Sequence, residues 1–390
     1  MAAKTARRLF WVMLPVFLAY VVHRGATRGN DFKYPYNVAR HVWKTGEFAV
    51  AAQPRYPVTF HVLLAPLASR SIGLAAAIWA VLSVAAILAL PRLLAKLTGI
   101  PRPRQILAWL PVIPCFIDAL VLGQSDPINI FLVTVGLLAA STGREITGTS
   151  LVGLAAMIKF LPVIFWTTIF ARRPSWKVLV GMALAIAFGF GVMALAVGPK
   201  LAIEGTLLQF QLIQDQEKPW HLVARQSDLR PNNESFPIVL ARTFGDLGTK
   251  VKPPSISLAK LPLNLIWGCW GVVLGALIIT WIASIRPAAA LPPRAGWHAM
   301  FALTAIVMLA ATPICWHHYF LWTLPATLFL SHRPRFLKVF AALAIVGTIF
   351  QTTRGFGCHM ILAFVLFGLV VHDLHKFARD PASYPDYEAA

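Results

Sequence analysis

The sequence is poor in charged residues, which make up 13% of its 390 positions. Soluble proteins carry roughly 25% charged residues. A low content is typical of chains that cross a bilayer, because its hydrocarbon core does not solvate charged side chains. Hydrophobic residues reach 58% and the mean hydropathy is +0.68, which excludes an ordinary soluble domain. The apolar runs between Phe10 and His372 are continuous rather than alternating. They therefore predict membrane-spanning helices and exclude a β-barrel.

Cysteine is scarce as well, and none of the four cysteines belongs to a CxxC pair. Neither a zinc site nor a disulfide framework is indicated. No small-residue cleavage site follows the first apolar run, so we expect no cleavable signal peptide. The net charge is +20, but the basic residues are spread over many short loops and no nucleic-acid-binding motif accompanies them. We therefore expect no nucleic-acid partner.

The apolar runs predict an all-α, polytopic membrane protein with about twelve transmembrane helices, within a range of about ten to thirteen. We expect one domain over residues 1–378 and a cytoplasmic tail over 379–390. Two short runs that join at Lys159 are predicted to be half-helices meeting at a polar vertex, and a helix near 57–69 is predicted to lie at the interface. The predicted spans are 9–23, 71–91, 105–122, 127–141, 147–158, 160–171, 176–198, 258–284, 297–312, 316–331, 336–351 and 358–373.

The distribution of Lys and Arg among the loops predicts the orientation. Alternate short loops carry them, as at Arg172 and Arg173, whereas the loops between have almost none. Because cytoplasmic loops are the positive ones, both termini are predicted to be cytoplasmic. Two longer segments, 24–56 and 199–257, then face the other side. We expect short helices in them and expect them to form the roof of a site.

Asp31 is the first candidate for chemistry. It follows the first predicted span and lies between aromatic residues and Lys33. A carboxylate at headgroup depth can act as general base for a hydroxyl group. The alternative is that Asp31 caps a short helix predicted over 36–44.

Two adjacent histidines, His317 and His318, follow Pro313 at a predicted helix start on the same side. Imidazoles at a helix N-terminus can donate hydrogen bonds to a phosphate. A metal site is a second possibility, although no HExxH or carboxylate spacing accompanies them. A third is a structural role at the interface, with Trp316 and Tyr319 in the aromatic belt.

The long loop carries Asn233 and Glu234 ahead of Arg242, on a helix predicted over 234–245. Amide, carboxylate and guanidinium groups together suit sugar hydroxyls and phosphate. The same residues could also form a capped surface helix, because Asn followed by Glu is a helix start signal.

Polar residues also interrupt the apolar part of the chain. Gln124 and Asp126 form a polar cluster at a helix junction, and Lys159 is a lone cation inside an apolar run. An intramembrane lysine needs an anionic partner. That partner is either a lipid phosphate or one of the two carboxylates Asp118 and Asp126.

These pieces, in this order, resemble glycosyltransferase family 87 of the GT-C superfamily, which includes polyprenyl-phosphate-mannose-dependent α-mannosyltransferases. The resemblance covers roughly residues 10–330. Two departures are Pro57-Val58 in place of paired prolines, and Glu234 where the family has glutamine, which puts a charge in place of an amide. The matching stretches are Asp31 with Tyr36, Ala39 and Gly46; Tyr56-Pro57 with Ala65-Pro66-Leu67; Gly123-Gln124 with Asn129; Gly153-Leu154-Ala155-Ala156 with Lys159 and Pro162; Asn233-Glu234-Ser235 with Arg242; and Pro313, Trp316, His317-His318 with Pro325.

The resemblance implies a GT-C-like fold with an outward-facing cavity and an inverting enzyme that requires no metal or other cofactor. It would move a sugar, mannose first, from a polyprenyl-phosphate donor to a hydroxyl of a lipid or glycan acceptor. The implied location is a bacterial inner membrane, with the site on the periplasmic or extracellular face. The alternative from another class is a non-enzymatic transporter or flippase of polyprenyl-phosphate lipids.

The residues and the resemblance together predict the site. Asp31 is expected to be the catalytic base. The residues expected to bind the donor phosphate are His317, His318, Lys159, Arg242 and Lys33. The residues expected to contact the sugar or the acceptor are Tyr34, Tyr36, Asn233, Glu234, Gln124, Asp126 and Trp316.

Overall fold

The computed structural model describes residues 2–27, 31–47, 56–216, 230, 233–245, 258–350, 353–354 and 356–385. Over these residues the chain is helical and has no β-strand, only two isolated β-bridges. The predicted all-α membrane fold is confirmed. The helices up to residue 216 are α1 (Ala2–Thr27), α2 (Lys33–Thr45), α3 (Val58–Ala68), α4 (Ile72–Thr98), α5 (Arg102–Trp109), α6 (Ile113–Leu122), α7 (Asp126–Ser141), α8 (Glu145–Ile158), α9 (Phe165–Arg172), α10 (Trp176–Val197) and α11 (Pro199–Gln216).

The second part of the chain continues the bundle. Short 3-10 helices occur at Leu161–Ile164, His317–Thr323 and Pro381–Ser383. The α-helices are α12 (Phe236–Phe244), α13 (Leu263–Ala290), α14 (Pro293–Ala311), α15 (Leu324–Phe329), α16 (Pro334–Ile349) and α17 (Cys358–Arg379).

Five of these helices are long and apolar enough to cross a membrane, and a sixth crossing is added if the bent pair α5–α6 is counted as one. The five are α4, α10, α13, α14 and α17. Shorter apolar helices, among them α7 and α8, lie between them. The count of about twelve spans stays a prediction.

The run predicted as one span over 105–122 is two helices. α5 and α6 are bent by 74° relative to each other. Pro111 lies in the turn between them, and Pro114 occupies the first turn of α6. Because proline lacks an N–H group and fits the first turn of a helix, the sequence ends one helix here and begins another.

The run predicted as a span over 316–331 is also different. It consists of the 3-10 helix His317–Thr323 followed by the short helix α15. Together they are shorter than the roughly 20 residues of a straight crossing. Pro325 lies in the first turn of α15, where its fixed φ angle suits the change of helix type.

The predicted break at Lys159 is confirmed. α8 ends at Ile158, and Lys159 has the extended backbone angles φ −150° and ψ 126°. The 3-10 helix Leu161–Ile164 then leads into α9. Pro162 in this segment lacks the N–H that a continuous helix would need, so Lys159 projects from a helix end.

Helix α14 forms the centre of the bundle. In its most apolar stretch 89% of the residues are buried inside the protein, whereas a helix with one lipid face would expose a stripe. Beside it α7 and α8 cross closely at Gly136 and Gly148, where a Cβ atom on Gly148 would lie 2.6 Å from the Gly136 carbonyl oxygen. Small residues permit this close approach of the two backbones.

Candidate active site

The polar side chains predicted from the sequence converge where several helix ends meet. The 3-10 helix His317–Thr323 packs against α6, α7 and α17. The segment before α12 lies against Cys315 and Trp316. Helix ends have backbone N–H and C=O groups without partners inside the helix, and they tolerate polar side chains better than helix middles do. The site is therefore built from the ends of apolar helices.

The junction between α6 and α7 holds Asp31. The Phe32 N–H donates to the Leu122 carbonyl oxygen over 3.3 Å. The Gln124 Nε2 group donates to Asp31 Oδ2, and Gln124 Oε1 accepts a hydrogen bond of 2.9 Å from the Tyr56 hydroxyl. Gln124 is buried whereas Asp31 is exposed. Because the tyrosine fixes which end of the amide faces Asp31, the carboxylate has a set orientation and remains accessible.

Helix α2 begins earlier than predicted. It starts at Lys33, with Phe32 as the N-cap residue and no side-chain bond at that cap. Asp31 therefore lies one residue before the cap position. Its hydrogen bond from Gln124 connects it to the other side of the site.

The same junction holds a buried ion pair. The Lys159 Nζ atom lies 2.6 Å from Asp126 Oδ2 and 3.7 Å from the centre of the Tyr319 ring. The Trp322 indole N–H donates to Asp126 Oδ1 over 3.1 Å. Of the two carboxylates considered for Lys159, the structure pairs it with Asp126. A buried charge is stable when it is paired and hydrogen-bonded in this way.

His317 is held by partners from other helices, which include Asp118, Thr348 and the Cys115 thiol, 3.6 Å from its Nε2 atom. Its Nδ1 atom lies 3.2 Å from Asp118 Oδ2, and its Nε2 atom lies 3.0 Å from the Thr348 hydroxyl. Asp118 reaches the surface, with 35% of its side chain exposed. The buried histidine is therefore in contact with a carboxylate that is partly exposed at the protein surface.

His318 is buried, and neither of its ring nitrogens has a hydrogen-bond partner among the residues that the structure describes. Its Nδ1 atom lies 3.9 Å from Asp118 Oδ2 and its Nε2 atom 3.8 Å from Asp126 Oδ2, both beyond hydrogen-bond distance. A buried polar group without a partner costs about 1–3 kcal/mol. Such a cost is typical of functional sites.

Asn233 and Glu234 tie the loop helix α12 to this cluster. Asn233 Oδ1 accepts the Cys315 N–H over 3.0 Å, and the Glu234 N–H donates to the Cys315 carbonyl oxygen over 2.7 Å. The Glu234 carboxylate lies 3.0 Å from His359 Nδ1. Both predicted side chains are fully buried, so their polar groups are used within the protein.

Arg242 is buried on α12, with 2% exposed. Its Nη1 group donates to the Arg230 carbonyl oxygen over 2.6 Å, while Nε and Nη2 have no hydrogen-bond partner in the described residues. Burial lowers the pKa of its guanidinium to about 10, and the nearby Glu234 carboxylate acts against this shift. Arg242 remains charged at neutral pH and keeps two donor groups available.

The remaining predicted residues divide into two groups. Lys33 is exposed, and Tyr34 and Trp316 are half-buried. Tyr36 is buried instead, where its hydroxyl donates to the Arg70 carbonyl oxygen over 2.8 Å and accepts from Arg40 over 3.1 Å. The first three can reach a ligand, whereas the hydroxyl of Tyr36 has two protein partners.

His359 and Thr348 are members of this cluster that the sequence did not predict. Thr348 lies near the end of α16 and His359 in the first turn of α17. The sequence did contain a sign of His359, which is a histidine at the start of a predicted apolar helix, on the same side of the membrane as His317. In the described part of the chain, no three His, Cys, Asp or Glu side chains lie close enough together to hold a metal ion.

A comparison with protein families gives a match over most of the chain. The model for "Glycosyltransferase family 87" matches residues 55–313. This range contains Gln124, Lys159 and Arg242, and it lies between Asp31 and the two histidines. Comparison with curated proteins and with solved structures gives no significant match.

Proposed function

The chain belongs to glycosyltransferase family 87, a family of membrane glycosyltransferases, and we propose that it moves mannose from a polyprenyl-phosphate donor. The acceptor is a hydroxyl of a lipid or glycan on the non-cytoplasmic face of a bacterial inner membrane. Both termini are cytoplasmic in this proposal. The observation that carries it is the exposed Asp31 carboxylate, which Gln124 holds beside a buried group of cations and imidazoles.

Asp31 is the general base in this mechanism. The acceptor hydroxyl oxygen attacks the anomeric carbon, and its proton passes to the Asp31 carboxylate. The bond between the anomeric carbon and the phosphate oxygen breaks on the opposite side, so the configuration inverts. Gln124 supports this step because its N–H donor keeps Asp31 in one orientation.

Polyprenyl phosphate leaves with the negative charge, and fixed donors stabilise it. Within the described part of the chain, His318 has two ring nitrogens without hydrogen-bond partners, and Arg242 has two such donor groups. Lys159 supplies a buried positive charge whose field Asp126 partly cancels, and Lys33 lies two residues from the base. Donors placed before the reaction stabilise a leaving anion without a divalent cation.

Tyr34 and Trp316 are the proposed contacts of the sugar or the acceptor, because their rings are half-buried and aromatic faces stack on sugars. Gln124 orients the base. Tyr36, Asn233, Glu234 and Asp126 have protein partners for their polar groups. We assign these four to the support of the site rather than to direct contact with substrate.

The hydrocarbon chain of the donor has a candidate place between α8 and α10. An open groove of about 520 Å³ lies there, lined mostly by apolar residues that include Leu154, Met157 and Phe188. The end of this groove at Met157 lies next to the first turn of α3, because the Thr59 hydroxyl donates to the Met157 carbonyl oxygen over 3.0 Å. Tyr56, the partner of Gln124, lies just before this turn.

A panel of purified donors tests the proposed function. Purified protein is incubated with polyprenyl-phosphate sugars that differ in sugar and in chain length, and the loss of each donor is measured with and without excess EDTA. We expect the mannosyl donor to be consumed in both conditions. Consumption of another sugar would correct the donor, and transport of labelled lipid without any sugar transfer would support the flippase alternative instead.

A further inference from the structure

Trp79, on α4, is a buried side chain that contacts both sides of the pair formed by Asp31 and Gln124. It is 8% exposed, and its indole N–H donates to the Gly123 carbonyl oxygen over 3.0 Å. Its ring stacks on Phe32, with the ring centres 5.8 Å apart and the planes at 25°. Gly123 precedes Gln124 in the chain, and Phe32 follows Asp31. One side chain therefore holds a neighbour of each member of the pair.

The hydrogen bond from Trp79 restrains the backbone from which Gln124 extends. Gly123 caps the end of α6 with left-handed backbone angles, φ 69° and ψ 31°, which glycine adopts without a steric cost. The peptide group between Gly123 and Gln124 is bonded at both ends. Its C=O accepts from Trp79, and its N–H donates to the Ala119 carbonyl oxygen over 2.8 Å. Because a peptide group is planar, these two bonds restrict the position of the Gln124 Cα atom.

The stacked ring acts on the other member of the pair. Phe32 is 2% exposed, whereas Asp31 beside it is exposed. The Phe32 N–H donates to the Leu122 carbonyl oxygen over 3.3 Å, which is near the long end for a hydrogen bond. Stacking on Trp79 adds a second restraint to the part of the chain that carries Asp31.

Ring packing connects Trp79 to the tyrosine that anchors Gln124. The Phe60 ring centre lies 5.6 Å from that of Trp79 and 5.3 Å from that of Tyr56. The Tyr56 hydroxyl donates to Gln124 Oε1. These rings therefore hold Gln124 in two ways, through its side chain at Tyr56 and through its backbone at Trp79.

We propose that Trp79 is a positioning residue that keeps the Gln124 amide and the Asp31 carboxylate in hydrogen-bond contact. The role of Asp31 as a base rests on the proposed function, whereas the restraint rests on the contacts of Trp79. The indole acts through Gly123 and Phe32 and does not touch the reacting atoms. A base held in one orientation takes the proton faster at the same substrate affinity. Trp79 should therefore affect kcat rather than KM.

Two substitutions separate the two contacts of the indole. Trp79→Phe keeps a ring that can stack on Phe32 but removes the N–H that the Gly123 carbonyl accepts. Trp79→Leu removes both contacts. We expect kcat to fall about threefold for Trp79→Phe and at least about tenfold for Trp79→Leu, while the KM values stay within about twofold of the wild type.

Trp166→Phe is the matched control. Trp166, on α9, donates its indole N–H to the Thr149 carbonyl oxygen of α8 over 2.9 Å, so the substitution removes the same kind of bond between two helices. It should lower the thermal midpoint as Trp79→Phe does but leave kcat unchanged. Equal kcat values for Trp79→Phe and Trp166→Phe would overturn the proposal, and so would a loss confined to KM.

A double-mutant cycle shows whether the effect passes through Gln124. In a Gln124→Ala background, Trp79→Phe should change kcat less than about twofold, because the amide that the indole N–H positions is absent. Additive effects would overturn the proposal. The cycle uses the phenylalanine variant, so it stands even if Trp79→Leu does not fold.

Hydrogen exchange separates this proposal from the proposed function, because it requires no sugar transfer. Trp79→Phe should speed exchange at the Gln124 N–H about tenfold, and Trp166→Phe should not. A protein that consumes no donor but shows this difference would contradict the proposed function and support the positioning role. A protein that consumes donor but shows equal exchange in both variants would contradict the positioning role alone.

Discussion

Helix α17 carries a buried polar cluster near each end, and the two clusters differ in how fully they are paired. Towards its end the Asp373 carboxylate accepts from Arg333 Nε over 2.8 Å and also from Arg333 Nη2. His332 Nε2 lies 3.0 Å and His372 Nδ1 3.1 Å from the same carboxylate. Three side chains thus saturate one buried acid.

At the start of α17, His359 belongs to a cluster that is not saturated. His318 lies there with two ring nitrogens that have no hydrogen-bond partner among the described residues. At 1.5 Å per residue the two clusters are about 20 Å apart along the helix. A saturated cluster stabilises the fold and has nothing left to offer a ligand, whereas an unsaturated one costs stability and retains binding capacity.

Asp31→Asn should give the largest effect on activity. The amide cannot accept the proton of the acceptor, so we expect the rate of sugar transfer to fall at least about a hundredfold. Asp31 is exposed, and the thermal midpoint should stay the same. Initial rates and thermal unfolding of the purified variant measure the two quantities. Full activity would remove Asp31 from the role of base.

Asp373→Asn should show the opposite pattern. Loss of this carboxylate leaves Arg333 and two histidines without their common partner, and the protein should lose roughly 2 kcal/mol of stability, discounted for partners that reach solvent. The kcat and KM of the remaining folded protein should stay the same. A lower kcat at an unchanged thermal midpoint would contradict the structural role of this cluster.

His318→Leu separates binding from stability within the site. An apolar side chain removes a buried polar group that has no partner, so the thermal midpoint should rise by about 2–4 °C. The KM for the donor should increase about tenfold, because a phosphate donor is lost. A destabilised His318 variant would show that the imidazole has a partner in solution.

Tyr56→Phe should have the smallest effect. Without the tyrosine hydroxyl, the Gln124 amide can turn its oxygen towards Asp31 and lose the orienting bond. We expect kcat to fall about threefold to tenfold with an unchanged KM, because only the positioning of the base is affected. Equal activity of Tyr56→Phe and wild type would show that Gln124 does not need this anchor.

Much of the fold could be predicted because the bilayer restricts the sequence strongly. Continuous apolar runs located nearly every helix, and the break at Lys159 followed from a charge beside a proline in an apolar segment. The errors arose where apolar composition hides a change of direction. Residues 105–122 and 316–331 are both apolar, but prolines divide the first and a 3-10 helix occupies much of the second.

The site could be predicted in its parts but not in its pairings. Lys159 had two carboxylates within reach by sequence, and only the packing of α7 against α8 selects Asp126. The partner of Glu234 lies 125 positions away along the chain, at His359. Such contacts depend on how helix ends meet in three dimensions, which local patterns do not encode.

The central position of α14 has a consequence for how the protein enters the membrane. This helix is the least apolar of the five long candidates, and it carries His298, whose Nε2 atom lies 2.8 Å from the Pro325 carbonyl oxygen. That carbonyl belongs to α15, which is synthesised later. α14 is therefore synthesised before the carbonyl group that its histidine contacts, so this polar side chain is without that partner until α15 has been made and packed against it.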